Sequence, residues 1–302
     1  MDFRDSRQRQ FWLQAMLVAV LGLLAFLLIN TTIGNLQRRG IPVGVDFLFD
    51  PSQVVISESL LEHDPSASTL RAIVVGVVNT VHIALVVIFM STILGLFVGL
   101  ARMSQNPLAR ATARAWIEVA RNFPPIVILI FLYSLWWRVL PPIDEAWRWG
   151  AGVWLSMRGL VVGSWELSPE LSSVLIGLTI YTTGFVAEII RSGIQAIPKG
   201  QWEAAHALGL SIPKTLRLVI IPQALRVVVP PLNSQYINVV KNSTLVIAVG
   251  YPDFLAVMNT IISKTSHSIE GVGIILSVYL ALNLALSALA NWYNRRVSLV
   301  VR

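Results

Sequence analysis

Apolar residues along this chain gather into six long runs: Phe11–Ile33, Ala72–Ala101, Ile117–Leu140, Leu171–Ile190, Pro230–Gly250 and Gly271–Trp292. Each is near or above the roughly 18–20 residues that cross a bilayer as a helix. The fifth is the most interrupted, carrying Asn233, Asn238, Lys241 and Asn242. The first follows Arg4, Arg7 and Arg9, as a secretory leader would. It is longer than the apolar stretch of about 7–15 residues in such leaders, and no small-residue cleavage site follows, so it reads as a retained helix. The pattern predicts an all-α membrane protein of about six transmembrane helices, without an internal repeat.

Composition agrees. Charged residues make up 13% of the chain and hydrophobic ones 55%, about half the charge of an ordinary soluble domain. The net charge of +7 does not signal nucleic acid, because the basic residues are scattered at helix ends and not gathered on one face. Most of the 23 Lys and Arg residues fall on one side if the N-terminus is inside, which predicts that both termini are cytoplasmic. Two long segments are then external. Gly34–Arg71 carries Asp46, Asp50, Glu58, Glu62 and Asp64; Pro141–Glu170 carries Trp147, Trp149, Trp154 and Trp165. The tryptophans fit a piece lying at the membrane interface or a small folded cap over the helix ends.

Several chemistries are missing from the sequence. There is no cysteine, and the four histidines (63, 82, 206, 267) are dispersed, so no metal site is expected. No G-x-x-x-x-G-K-[ST] loop or H-E-x-x-H motif occurs, which predicts no nucleotide cofactor on this chain and no catalysis.

One polar stretch interrupts the membrane pattern: EAAHALGLSIPKTLRLVIIPQ, Glu203–Gln223. Pro198 and Gly200 break the chain before it, and Trp202–Leu208 reads as a short helix with small Ala204, Ala205 and Ala207. Gly209 suits a left-handed helix end. Ser211 suits the cap of a second helix, with Pro213 in its first turn and an apolar stripe of Leu216, Val219 and Ile220. Pro222 bends or ends it at Ile221. Such an elbow fits either into a partner's groove or against its own spans.

Further polar positions stand out at the spans. Glu118/Arg121 and Glu188/Arg191 share i,i+3 spacing at the cytoplasmic border; they neutralise each other locally or brace a gate. Ser234, Asn238 and Lys241, with Gln235 and Asn242 beside them, form a polar stripe that serves helix packing or a translocation path for zwitterions. Asn79, Thr80 and His82 are weaker members of the same class.

The elbow resembles the EAA loop of permease subunits of ATP-binding cassette importers: Glu203-Ala204-Ala205, then Gly209, then V-I-I-P at Val219–Pro222 where that pattern ends I-x-L-P. EVARNFP (Glu118–Pro124), FVAEIIRSGI (Phe185–Ile194), NVVKNSTLVIAVGYPD (Asn238–Asp253) and TIGNLQRRGI (Thr32–Ile41) are similar to the polar and general L-amino-acid branch. The resemblance implies a type I importer permease fold with one extra N-terminal helix. It implies a first unit at 1–71, a permease core at 72–292 holding the coupling loop 198–223, and a cytoplasmic tail at 293–302. It places Glu203, Ala204, Ala205 and Gly209, with Pro213, at the contact with a separate cytoplasmic ATP-binding subunit that holds the ATP and Mg. Further implied partners are a second permease subunit, similar or identical, an extracytoplasmic amino-acid-binding protein, and membrane lipid, in the cell inner membrane. The rival readings are a stand-alone ion-coupled secondary amino-acid transporter and an intramembrane enzyme.

Overall fold

A computed structural model describes residues 6–40, 42–150 and 152–297. Arg4 and Arg302, both among the basic residues on the side expected to be cytoplasmic, lie outside the described residues. In chain order the helices are α1 (Ser6–Arg38), α2 (Thr69–Arg102), α3 (Pro107–Asn122) and α4 (Pro125–Val139). Four short strands follow: β1 (Trp147–Trp149), β2 (Val153–Ser156), β3 (Gly159–Val162) and β4 (Trp165–Leu167). Then come α5 (Pro169–Gln195), α6 (Lys199–Ala207), α7 (Ile212–Thr215), α8 (Ile221–Asn242), α9 (Phe254–Thr265) and α10 (Ser268–Val297).

Among the described residues, five stretches are long and apolar enough to cross a membrane: Gln10–Asn35, Thr69–Arg102, Pro169–Gln195, Ile212–Val249 and Ser268–Trp292. The sixth, the run Ile117–Leu140, is not one helix. It is the end of α3 and the whole of α4, bent by 105°. The break has a local cause. Pro124 and Pro125 remove two backbone donors, and Phe123, forced out of the helical region by the proline after it, is extended (φ −90°, ψ 135°). The fifth span also differs from its sequence limits. Pro230 and Pro231 lie inside α8 instead of starting it, and the helical path begins before them and continues as a tight 3₁₀ stretch to Val249.

Helices α2 and α5 form the centre of the bundle. Ser91, Gly95 and Gly99, four residues apart on α2, are buried. A Cβ at Gly95 would collide with the Val186 side chain, and one at Gly99 would stand 2.8 Å from the Ala187 carbonyl oxygen. Small residues at this spacing let two backbones approach where lipid supplies no hydrophobic drive. Around this seam Ile83, Val87, Leu129, Val174, Leu178 and Val239 form the main core. A second cluster joins Phe47 and Val54, from the segment between α1 and α2, to Ala72, Ile73, Phe254 and Met258. Helix α1 stands outside both clusters, its apolar side chains from Phe11 to Ile29 exposed.

The tryptophan-rich segment is folded: β1–β4 form an antiparallel meander in sequence order. Its register puts Trp149, Val153, Val162 and Trp165 in one cross-strand row, and Trp147, Leu155, Leu160 and Leu167 in another. Because side chains alternate along a strand, both rows lie on one face of the sheet.

Candidate functional site

The elbow has two faces, and they differ in what they touch. Helix α6 ends at Gly209, whose φ of +72° is the left-handed conformation expected there. The amides of Leu208, Gly209 and Leu210 close that end on the carbonyls of Ala204, His206 and Ala205. A Cβ at Gly209 would meet nothing, so the requirement is conformational alone. Helix α7 starts after Ser211 with Pro213 in its first turn. Ser211 occupies the cap position, but its hydroxyl makes no cap bond, unlike the sequence expectation. A π-helical turn, Leu216–Ile220, then leads into α8.

On the inner face Ile197, Ile220 and Ala224 pack with Ile194, Trp202, Leu216 and Val219, and Gln223 donates to Gln201 at 3.1 Å. Ala205 belongs to this side, 2% exposed. Of the residues expected at the contact, Ala205 is the one whose side chain is covered within this chain. Glu203, Ala204, Gly209 and Pro213 face outward. Beside them Leu208 and Ile212 are 79% and 62% exposed.

The two charged pairs behave differently. Arg191 donates to Glu188 through two nitrogens, Nε at 2.9 Å, and also reaches Gln195. Glu118 does not pair with Arg121. It accepts from Arg114 at 2.7 Å, one turn back, while Arg121 turns over the Phe185 ring. The cause is packing: Ala120 presses on Gly184 of α5 and carries Arg121 across that helix.

On α8, Ser234, Asn238 and Lys241 are all exposed on one face, whereas Asn242 is half-buried on its flank and Gln235 is buried. Among the described residues no carboxylate lies within ion-pairing distance of Lys241. Tyr236, which the sequence reading passed over, bonds Thr92 of α2 at 2.8 Å. Asn79 and Thr80 do not join the stripe; both are buried in the first half of α2 and bond the 57–60 and 252–254 segments. His82 is half-buried. Among the described residues no group of three or more His, Asp or Glu could hold a metal ion.

A bundle of membrane-length helices, closed by small residues and carrying a two-faced elbow between two of them, defines a polytopic helical membrane protein. Residues 91–299 match the family of binding-protein-dependent transport system inner membrane components, and the chain belongs to that family. It is 35% identical to the putative amino-acid ABC transporter permease protein YhdX of Escherichia coli, over all of this chain and 97% of that protein. It is 31% identical to the general L-amino acid transport system permease protein AapQ of Rhizobium johnstonii, over 99% and 94% of the two chains. Among solved structures, an amino acid ABC transporter crystallised with histidines superposes with a TM-score of 0.61 at 28% identity, covering 75% of this chain and 94% of that one. The MetNI methionine transporter shares the fold, with a TM-score of 0.58 at 20% identity over 79% and 100%. The chain is thus an integral inner-membrane permease of an amino-acid ABC importer. Such permeases work with an ATP-binding subunit and a substrate-binding protein.

Proposed function

We propose that this chain supplies half of a translocation path for amino acids and couples it to a separate ATPase through the outer face of the elbow. The observation that carries this reading is the elbow's two-sidedness. Its inner face is anchored by Ile197, Ile220 and Ala224, packed with Ile194 of α5 and Trp202 of α6, so a push on its outer face is passed to the ends of α5 and α8. Glu203, Ala204, Gly209 and Pro213 are free to meet the ATPase, which holds the ATP and Mg. Both termini are cytoplasmic in this reading, on the side of the elbow. The outer face of α8 supports the path: Ser234, Asn238 and Lys241 present polar groups that lipid cannot solvate. One protomer leaves that face open, and a second permease, identical or similar, completes it. An extracytoplasmic binding protein delivers the amino acid.

A stand-alone ion-coupled transporter is the rival. It has no use for an outward elbow, and Glu188, the carboxylate near the elbow's root, is already held by Arg191. Co-purification from membranes decides between them. The expected result is a stable complex with an ATPase, with the isolated chain neither binding nor hydrolysing nucleotide. Stoichiometric nucleotide binding to the isolated chain would overturn the proposal.

A further inference from the structure

At the external end lies a polar network that neither the elbow nor the α8 stripe uses. Asn79, wholly buried on α2, donates to the carbonyls of Glu58 and Pro252, 2.9 Å each, and accepts from the Leu60 amide at 3.4 Å. One side chain thereby ties α2 to the external strap 57–60 and to the connection between α8 and α9. Thr80 beside it, also buried, accepts from the Phe254 amide at 3.0 Å. The strap is tied to α5 as well. The Glu58 carboxylate accepts from the Ser168 hydroxyl, which itself caps α5 by accepting from the Leu171 amide at 2.9 Å.

What holds the strap is polar. None of its four residues is buried, and Leu60 is 55% exposed. The segment before it, in contrast, is anchored by buried Phe47 and Val54. Hydrogen bonds exchange for bonds to water at little net cost, whereas buried apolar anchors do not. The strap can therefore release while the flanking loop stays seated. Beneath it is a cavity of about 370 Å³ lined by Ser57, Glu58, Ser168, Glu170, Gly250 and Pro252. Gly250 and Pro252 directly follow the 3₁₀ extension of α8, so the cavity stands at the outward end of the helix that carries the stripe. Burial pushes the Glu58 carboxyl above its ordinary range, outweighing the Ser168 bond; this carboxylate is held at a cost to its ionised form.

We propose that Asn79 and Glu58 are the positioning residues of an outer gate, latching the strap 57–60 across the outward end of α8. The strap is latched in the state seen here and leaves the cavity when the path opens outward. This rests on the importer reading above. The assembled importer in proteoliposomes tests it, with Glu58→Cys and Ser168→Cys joined by a short reducible bis-thiol reagent; this chain contributes no other cysteine. Linking should cut nucleotide-driven uptake at least tenfold, and reductant should restore it, while basal nucleotide hydrolysis persists. A merely structural strap would not respond, and unchanged uptake after linking overturns the latch. A second measurement leaves the Glu58–Ser168 bond intact. Pro252→Cys, labelled from outside with a membrane-impermeant thiol reagent, should react several-fold faster in one nucleotide state than another. Adding Asn79→Ala should make the fast rate independent of nucleotide. Equal rates in every state, with and without Asn79, also overturn the proposal. Nucleotide-driven uptake by the unlinked importer reports on the importer reading alone, so the two failures are distinct.

Discussion

The Arg121 guanidinium lies over the face of Phe185, 5.3 Å from the ring centre, and this contact replaces the ion pair that the spacing to Glu118 suggests. It clamps the end of α3 onto α5 one residue before the chain enters its 105° bend. A cation over an aromatic face at an exposed site contributes about 0.5–1 kcal/mol. Arg121→Ala and Phe185→Leu should each lower the Tm of the purified complex, and a double-mutant cycle should return a coupling of about that size. Glu118→Gln should change nothing measurable, because its partner Arg114 is an exposed neighbour on the same helix. Coupling between Glu118 and Arg121 with none between Arg121 and Phe185 would contradict the geometry.

Gly209 sets a second expectation. Its φ is +72° with open space where a Cβ would go, so substitutions differ only in how they tolerate the left-handed conformation. A β-branched residue there costs roughly 1–2 kcal/mol, and asparagine much less. Gly209→Val should insert and assemble normally yet lose most uptake, at least tenfold, while Gly209→Asn retains most of it. Equal uptake by the two variants in reconstituted vesicles would remove the conformational explanation.

Much of this was legible in the residues. The elbow announced itself because Gly209 and Pro213 act on their own backbone, and the membrane class followed from apolar run lengths alone. Pro222, expected to bend or end the second helix, does neither. Ile221 before it stays helical (φ −59°, ψ −46°), and Pro222 sits in the first turn of α8, where a missing amide donor is tolerated. What failed was whatever depended on distant neighbours. Hydropathy ran unbroken across Phe123–Pro124, so the bend vanished into one span although two adjacent prolines were in view. The sheet's period-two signal, Trp147/Trp149 and Leu160/Val162 with Gly150, Gly152 and Gly163 at the turns, was outweighed by the tryptophan count. Ala205 is covered within this chain although its sequence neighbours Glu203, Ala204 and His206 are exposed. Asn79 is a staple because Pro252, 173 residues away, comes beside it.

Asp253 adds a pH dependence. It caps α9 by accepting from the Ala256 amide at 2.9 Å, lies wholly buried, and is pushed by that burial up to about 6 from an ordinary 3.8. Tyr279 donates to it at 3.4 Å, and Tyr251 is the other titratable group that feels its charge. Because the folded state binds this proton more tightly, the contribution is fully present below about pH 4. It is lost as pH rises through about 6. Asp253→Asn keeps a cap oxygen and carries no charge, so it should gain on the wild type across that window. The gain at pH 7 is on the order of 3 kcal/mol. Thermal unfolding of both proteins from pH 4 to 7 checks this. A Tm difference that stays constant over the window would show that Asp253 does not titrate there.

The stripe on α8 gives the riskiest expectation. Lys241 has no acidic partner among the described residues, and a lysine at the centre of a span costs roughly 2.5–3.5 kcal/mol. Ser234 and Asn238 share its exposed face, so helix packing within this chain does not account for them. A water- or substrate-filled path between two permeases gives all three a solvent. Lys241→Met and Asn238→Leu should therefore reduce uptake several-fold while complex assembly and basal ATPase activity persist. Asn79→Leu should fail differently, by lowering Tm, because it strands the Glu58 and Pro252 carbonyls at about 1–3 kcal/mol each. Single cysteines separate a path from a packed seam. Those at 234, 238 and 241 should react with a water-soluble thiol reagent at rates that change with nucleotide. Those at 239 and 240, whose side chains are buried, should stay slow throughout. If the three outward cysteines are as unreactive as the two inward ones in every nucleotide state, the stripe is a dry subunit seam and the path lies elsewhere.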